Sequence, residues 1–298
     1  MAFQPLARID KDSELTWAME WVSTLLCHEN ITITPDVKDR LWSALVNLSK
    51  TPVRERTLTG LSALLQGNSL KQALIPYTLN GPHGHLLDAD HDGFELGSMM
   101  CFEMEQLMHN RSVTLPVLTY LFHRLESNFD GKPTLLILDE AWVFLDDPTF
   151  AGRIREWLKV LRKKNVSVIF ATQSLSDIAE STIAPAIIES CPSRLFLPNP
   201  RALEPQQQKI YQNFGLNERQ IEIIANATPK RDYYFSCRQG NRLFDLALGP
   251  VALAFTAAIT SGRSNPPNGS HFAVRYLQER NLSWAAELVQ QFSNRKDG

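Results

Sequence analysis

Long apolar runs are the first thing this chain lacks. Its longest stretch free of charge, between Asp245 and Arg263, is broken by Gly249 and Pro250 and carries Thr and Ser, so no bilayer-spanning helix is expected. The opening Met1-Ala2-Phe3-Gln4-Pro5-Leu6 has neither a basic n-region nor an apolar h-region, which argues against a secretory signal and predicts a cytoplasmic protein. No excess of one charge exists either: 30 Lys and Arg against 32 Asp and Glu give a net charge of -2, too little field to draw the chain onto nucleic acid or an anionic bilayer. Any such contact must be local. The four cysteines, Cys27, Cys101, Cys191 and Cys237, stand singly with no Cys-x-x-Cys spacing, which argues against a zinc site and a disulfide framework and leaves buried, reduced thiols as the expectation. Internal repeats are missing as well.

What remains is an ordinary globular composition, 298 residues with 44% hydrophobic, enough for one large or two small domains. From about residue 13 to 80 the pattern is helical: Ala18, Trp21, Val22 and Leu25 recur at i, i+3, i+4, i+7, and Thr34-Pro35 supplies an N-cap followed by proline. Turn formers then cluster in Asn80-Gly81-Pro82-His83-Gly84 and Asp88-Ala89-Asp90-His91-Asp92-Gly93, which places a boundary near residue 82. Beyond it, short apolar runs alternate with amphipathic segments, the signature of a parallel α/β sheet. Residues 134–138 and 166–171 read as strands covered by helices on both faces. Between them Ile154, Trp157, Leu158 and Leu161 form one helical stripe, with Arg155, Lys159 and Arg162 opposite. Arg194 to Leu197 is a candidate next strand, and Asp232 to Ser236 with Leu243 to Leu248 a closing hairpin turning at Gln239-Gly240-Asn241. A flexible linker over 261–269 leads to a final amphipathic helix carrying Trp284, Leu288 and Phe292. The expected division is a helical subdomain with a share of the core in 1–82, the α/β core in 83–260, and linker with helical tail in 261–298.

The residues that point to chemistry are Leu135-Leu136-Ile137-Leu138-Asp139-Glu140, an apolar strand ending in two adjacent carboxylates. A buried parallel strand delivers its last residues to the crevice where open α/β sheets bind ligands, and two acids there are costly without a cation. In nucleoside triphosphatases the first such acid holds Mg²⁺ and the second polarises the attacking water. The alternative is a strand-end Asp capping the next helix. The following strand ends Ala171-Thr172-Gln173-Ser174, bringing an amide to the same rim; Gln173 either senses a γ-phosphate or caps the helix that starts near Ser174. The basic residues Arg155, Lys159, Arg162, Lys163 and Lys164 are either a solvated face or include an arginine that reaches into a neighbouring subunit's site.

Two other motifs fail. Asp88-x-Asp90-x-Asp92-Gly93 copies half of a calcium loop, but its twelfth position is Met99. Gly131-Lys132-Pro133 precedes a strand instead of following one, and no G-x-x-x-x-G-K-[ST] occurs in the chain.

The run 135–142, ending Asp-Glu-Ala-Trp, together with Leu161-Arg162-Lys163-Lys164-Asn165 and Ala171-Thr172-Gln173-Ser174, resembles the conjugal-transfer ATPases of type IV secretion systems, the TrbE-like branch in particular. Phe3-Gln4-Pro5-Leu6-Ala7-Arg8-Ile9-Asp10, Pro76 to Pro82, Phe102-Glu103-Met104-Glu105 and Tyr233-Tyr234-Phe235 are similar too, so the likeness covers nearly the whole chain. It implies a RecA-like motor domain with a helical subdomain, working as a hexamer with ATP and Mg²⁺ at the cytoplasmic face of the inner membrane, beside other secretion subunits. It also implies roles. Asp139 would hold Mg²⁺ through water, Glu140 would activate water, and Gln173 would sense the γ-phosphate. Arg162 would be the finger reaching in from a neighbour, with Lys163 the second choice for a phosphate contact. The family's phosphate-binding loop lies upstream of the segment that matches, so the chain is expected to correspond to a C-terminal portion. A catalytically silent module that contacts secretion subunits is the competing expectation. A DNA path would have to come from Arg155, Lys159 and Arg162 gathered around a pore.

Overall fold

The computed structural model describes residues 2–94, 97, 99–104, 107, 111–140, 145 and 148–248. Two compact units emerge, residues 1–173 with 181–183, and residues 174–180 with 184–298.

The first unit begins with α1 (Asp12–His28), α2 (Pro35–Leu48), α3 (Leu58–Leu64), α4 (Asn68–Leu74) and α5 (Gly84–Leu87), followed by α6 (Arg111–Glu126). The predicted stripe Ala18, Trp21, Val22 and Leu25 is the buried face of α1. Thr34 Oγ1 accepts from Val37 N at 3.3 Å, capping α2 with Pro35 in its first turn. Cys27 and Cys101 are exposed, not buried as expected, and Cys191 and Cys237 are half-buried. For Cys27 the reason is its place on α1, next to buried Leu25 and Leu26 but outside their stripe. α1 and α6 are tied through Trp21 Nε1, which donates to the Pro116 carbonyl at 3.0 Å, and through Trp17, which stacks on His123 at 4.0 Å between ring centres.

Two carboxylates of the turn-rich stretch are taken up by protein donors. Asp88 is buried and accepts from Leu79 N at 2.7 Å, Thr59 N at 3.0 Å and the Thr59 hydroxyl. Asp92 accepts from the Tyr120 hydroxyl and from Arg124, whose guanidinium lies 4.8 Å over the Phe94 ring centre.

β1 (Thr134–Leu138) and β2 (Val166–Phe170) then pair in parallel, Thr134 opposite Val166 and Leu138 opposite Phe170. They are joined through α7 (Pro148–Val160) and a 3₁₀ turn, Leu161–Lys164. Ile154, Trp157 and Leu161 are buried as predicted. The sheet corrects one expectation. Only one of its faces is covered among the described residues: Leu135 and Ile137 are each 58% exposed and Ile169 48%, all on the same face, while Val166 and Leu138 on the other are buried.

The second unit holds α8 (Leu175–Ala179), α9 (Ala184–Ser190), β3 (Arg194–Phe196), α10 (Pro205–Asn213), α11 (Glu218–Asn226), β4 (Asp232–Cys237) and β5 (Gly240–Asp245). β3 is a strand as read, but it lies in a separate antiparallel sheet of order β3-β4-β5 and does not extend the parallel one. The predicted hairpin exists with a tighter turn, because Cys237 pairs with Gly240 and only Arg238 and Gln239 lie between the strands. Gly240, at φ 141, permits that reversal. The expected linker and C-terminal helix lie outside the described residues. Among the described residues no helix is long and apolar enough to cross a membrane. The fold is thus α/β, with a parallel sheet and helices, as the alternation of the sequence predicts.

Candidate functional site

Parallel pairing brings the exits of β1 and β2 to the same rim, and Ala171 N donates to the Leu138 carbonyl at 2.9 Å to hold them side by side. Asp139 follows at once, exposed, its Oδ1 accepting from Glu140 N at 3.1 Å. Glu140 is half-buried and sits at φ 51, the left-handed region that non-glycine residues seldom occupy. A sharp turn at a strand end is thereby built from two carboxylates, with no glycine to ease it.

Gln173 meets that turn from the second strand. Its Nε2 donates to Glu140 Oε1 at 2.6 Å. The helix-capping role that Gln173 could have taken falls to Ser174, whose side chain accepts from Ser176 N at 3.2 Å at the start of α8. Asp139, Glu140 and Gln173 therefore share one rim, where a ligand of an open α/β sheet binds.

Arg162 and Lys163 do not join them. Both are exposed in the 3₁₀ turn that enters β2, and Asn165 pins that turn to the start of β1: its carbonyl accepts from Thr134 N and its Nδ2 donates to the Gly131 carbonyl, each at 3.1 Å. They occupy the opposite rim, about 16 Å away at 3.3 Å per strand residue. Arg155 and Lys159 are exposed on the outer side of α7.

The donor set suits Mg²⁺. Asp139 and Glu140 offer hard carboxylate oxygens at an accessible rim, and Mg²⁺ binds through one or two carboxylates and retained waters together with phosphate oxygens. Among the described residues no cluster of His, Cys, Asp and Glu forms an all-protein cage for a metal. What residue reading missed is the direct contact between Gln173 and Glu140. Its signal was present: two successive apolar strands, both ending in a polar side chain within three residues of the exit.

The TraG P-loop domain family matches residues 54–236. The chain belongs to this family. It is 45% identical to a probable conjugal transfer protein TrbE of Sinorhizobium fredii, over 97% of this chain and 44% of that protein. It is 44% identical to the conjugal transfer protein TrbE of Rhizobium radiobacter, over 97% of this chain and 36% of that one. With the type IV secretion system protein VirB4 of Bartonella quintana it shares 30% identity over 81% of its length and 31% of the relative's. The chain spans less than half the length of these curated relatives. Its fold is that of VirB4 of Thermoanaerobacter pseudethanolicus, at a TM-score of 0.61 and 20% identity over 85% of this chain and 75% of that one.

Proposed function

We propose that this chain supplies the acid-and-amide side of an ATP site in a RecA-like, hexameric motor of a type IV secretion or conjugal transfer system, energising pilus assembly and substrate transfer. The observation that carries the reading is the 2.6 Å bond from Gln173 to Glu140 beside Asp139, at the ligand-binding rim of a parallel sheet. The names of the relatives support it. The motor core is 83–260, with the helical subdomain in 1–82 and the tail in 261–298. The partners are further copies of the chain and other secretion subunits, at the cytoplasmic face of the inner membrane.

Asp139 is the residue to hold Mg²⁺ through water. When bound with ATP, that ion neutralises charge on the phosphate oxygens. Glu140 takes the proton of the attacking water, and the Gln173 amide fixes the plane of the carboxylate that must do so. Gln173 also senses the γ-phosphate. The position of Arg162, with Lys163 beside it, favours action in a neighbouring copy's site, since the acids of its own copy lie a strand's length away.

A second reading, a catalytically silent module that contacts secretion subunits, is favoured by the open apolar face of the parallel sheet. One experiment separates the two. In an assembly that contains a phosphate-binding loop, Glu140→Gln is expected to retain bound nucleotide and lose turnover by about 10²- to 10⁴-fold. Unimpaired hydrolysis would remove Glu140 from its role and leave the module.

A further inference from the structure

The parallel sheet is unfinished among the described residues. β1 and β2 each have one edge with no paired strand, and the face bearing Leu135, Ile137 and Ile169 is open. In a parallel sheet both faces are ordinarily covered by helices. The chain belongs to a family named for its P-loop, yet none of its 298 residues forms a G-x-x-x-x-G-K-[ST] loop. Relatives that match 97% of it run on for more than half their length outside the match.

We propose that this open face is the docking surface for a strand–loop–helix segment carrying the family's phosphate-binding loop, whether that segment continues this chain or comes as a separate one. Such a loop follows a strand and opens a helix. A strand added in parallel to a free sheet edge sends its loop to the rim that holds Asp139, Glu140 and Gln173. The right-handed return of the helix then lays it across a face of the sheet. Leu135 and Ile137 on β1 and Ile169 on β2 supply an apolar bed for that helix, with Ser167 small beside them.

The test is sedimentation velocity on the full chain mixed with a purified TraG-family segment that carries the loop and lacks the stretch matching 54–236, in EDTA and without nucleotide. A one-to-one complex is expected, weakened at least tenfold by Ile137→Glu and by Leu135→Glu. The two variants should leave the melting temperature of the isolated chain within about 2 °C, because both side chains are exposed there. No complex, or one indifferent to both variants, overturns the proposal. So does a self-association of the chain that the variants abolish, which would make a second copy the occupant, or a drop in melting temperature well beyond 2 °C, which would mean the chain's own residues already cover the face. The inference shares its rim with the proposed nucleotide site but is read without nucleotide. Binding with no hydrolysis would sink the motor and keep the docking surface; hydrolysis with no dependence on the face would do the reverse.

Discussion

The helical portion of the first unit and its two-stranded sheet treat leucine and isoleucine in opposite ways. In α1 and α2, Val22, Leu25, Leu26, Leu41 and Leu45 are fully buried, and the aromatic rings of Phe3, Trp17, Trp21 and Tyr120 interlock between α1, α6 and the N-terminal segment. In β1 and β2, Leu135, Ile137 and Ile169 face outwards with about half of their surface in water. The helical portion completes its own core from local sequence. The sheet holds the candidate chemistry but not a finished hydrophobic environment, and its apolar residues make sense only when something else covers them. Stability and function are thus supplied by different stretches of the same unit.

The largest effect should come from breaking the helical side at its charged centre. Asp92→Ala leaves the Arg124 guanidinium, 4% exposed, without its carboxylate, and is expected to cost about 3–5 kcal/mol by urea unfolding. Leu45→Ala follows, at about 2–5 kcal/mol, because a buried leucine leaves a cavity. The same truncation on the sheet, Ile137→Ala, should change stability by about 0.5 kcal/mol or less in the isolated chain. Equal losses at Leu45 and Ile137 would erase the contrast between the two regions. The smallest effect is in pH. Burial holds His123 and His83 below the ordinary imidazole value of 6.5, against the opposing pull of Glu14 on His123. A histidine kept neutral by the fold takes up a proton on unfolding, so its contribution is fully present above pH 6.5 and is lost as pH falls through that value towards the lower folded one. The urea midpoint should therefore decline from about pH 7.5 to about pH 5.5, and less steeply in His123→Gln.

The elements that were legible in the sequence are those whose pattern is local. The stripe of α1, the cap of α2, the two apolar strands and the helix between them follow from spacing alone, and so does the meeting of Asp139, Glu140 and Gln173 at one rim, since parallel strands admit no other arrangement. What spacing does not encode is which faces a sheet leaves open, because an apolar run looks the same whether its cover lies in the chain or elsewhere. The strand Arg194–Phe196 shows the same limit: it is apolar enough to extend the parallel sheet, but its partner is fixed by a hairpin about forty residues on. Asp88 and Asp92 read as turn formers, and their buried bonds to Thr59, Tyr120 and Arg124 arise from tertiary contacts that no short window contains.

Asp92 also sets a clock. Its carboxylate accepts from Gln4 N, 88 residues earlier, and from Arg124, 32 residues later, while Phe3 and Ala2 bond to residues 86, 89 and 93. None of these closures can form while the chain between them is still in the ribosome. At about 5–20 residues per second, the N-terminal segment waits several seconds for Arg124 to be made. Its apolar Phe3, Leu6 and Ile9 are open to chaperones through that interval, and high contact order, more than helix content, should set the pace at which this unit matures.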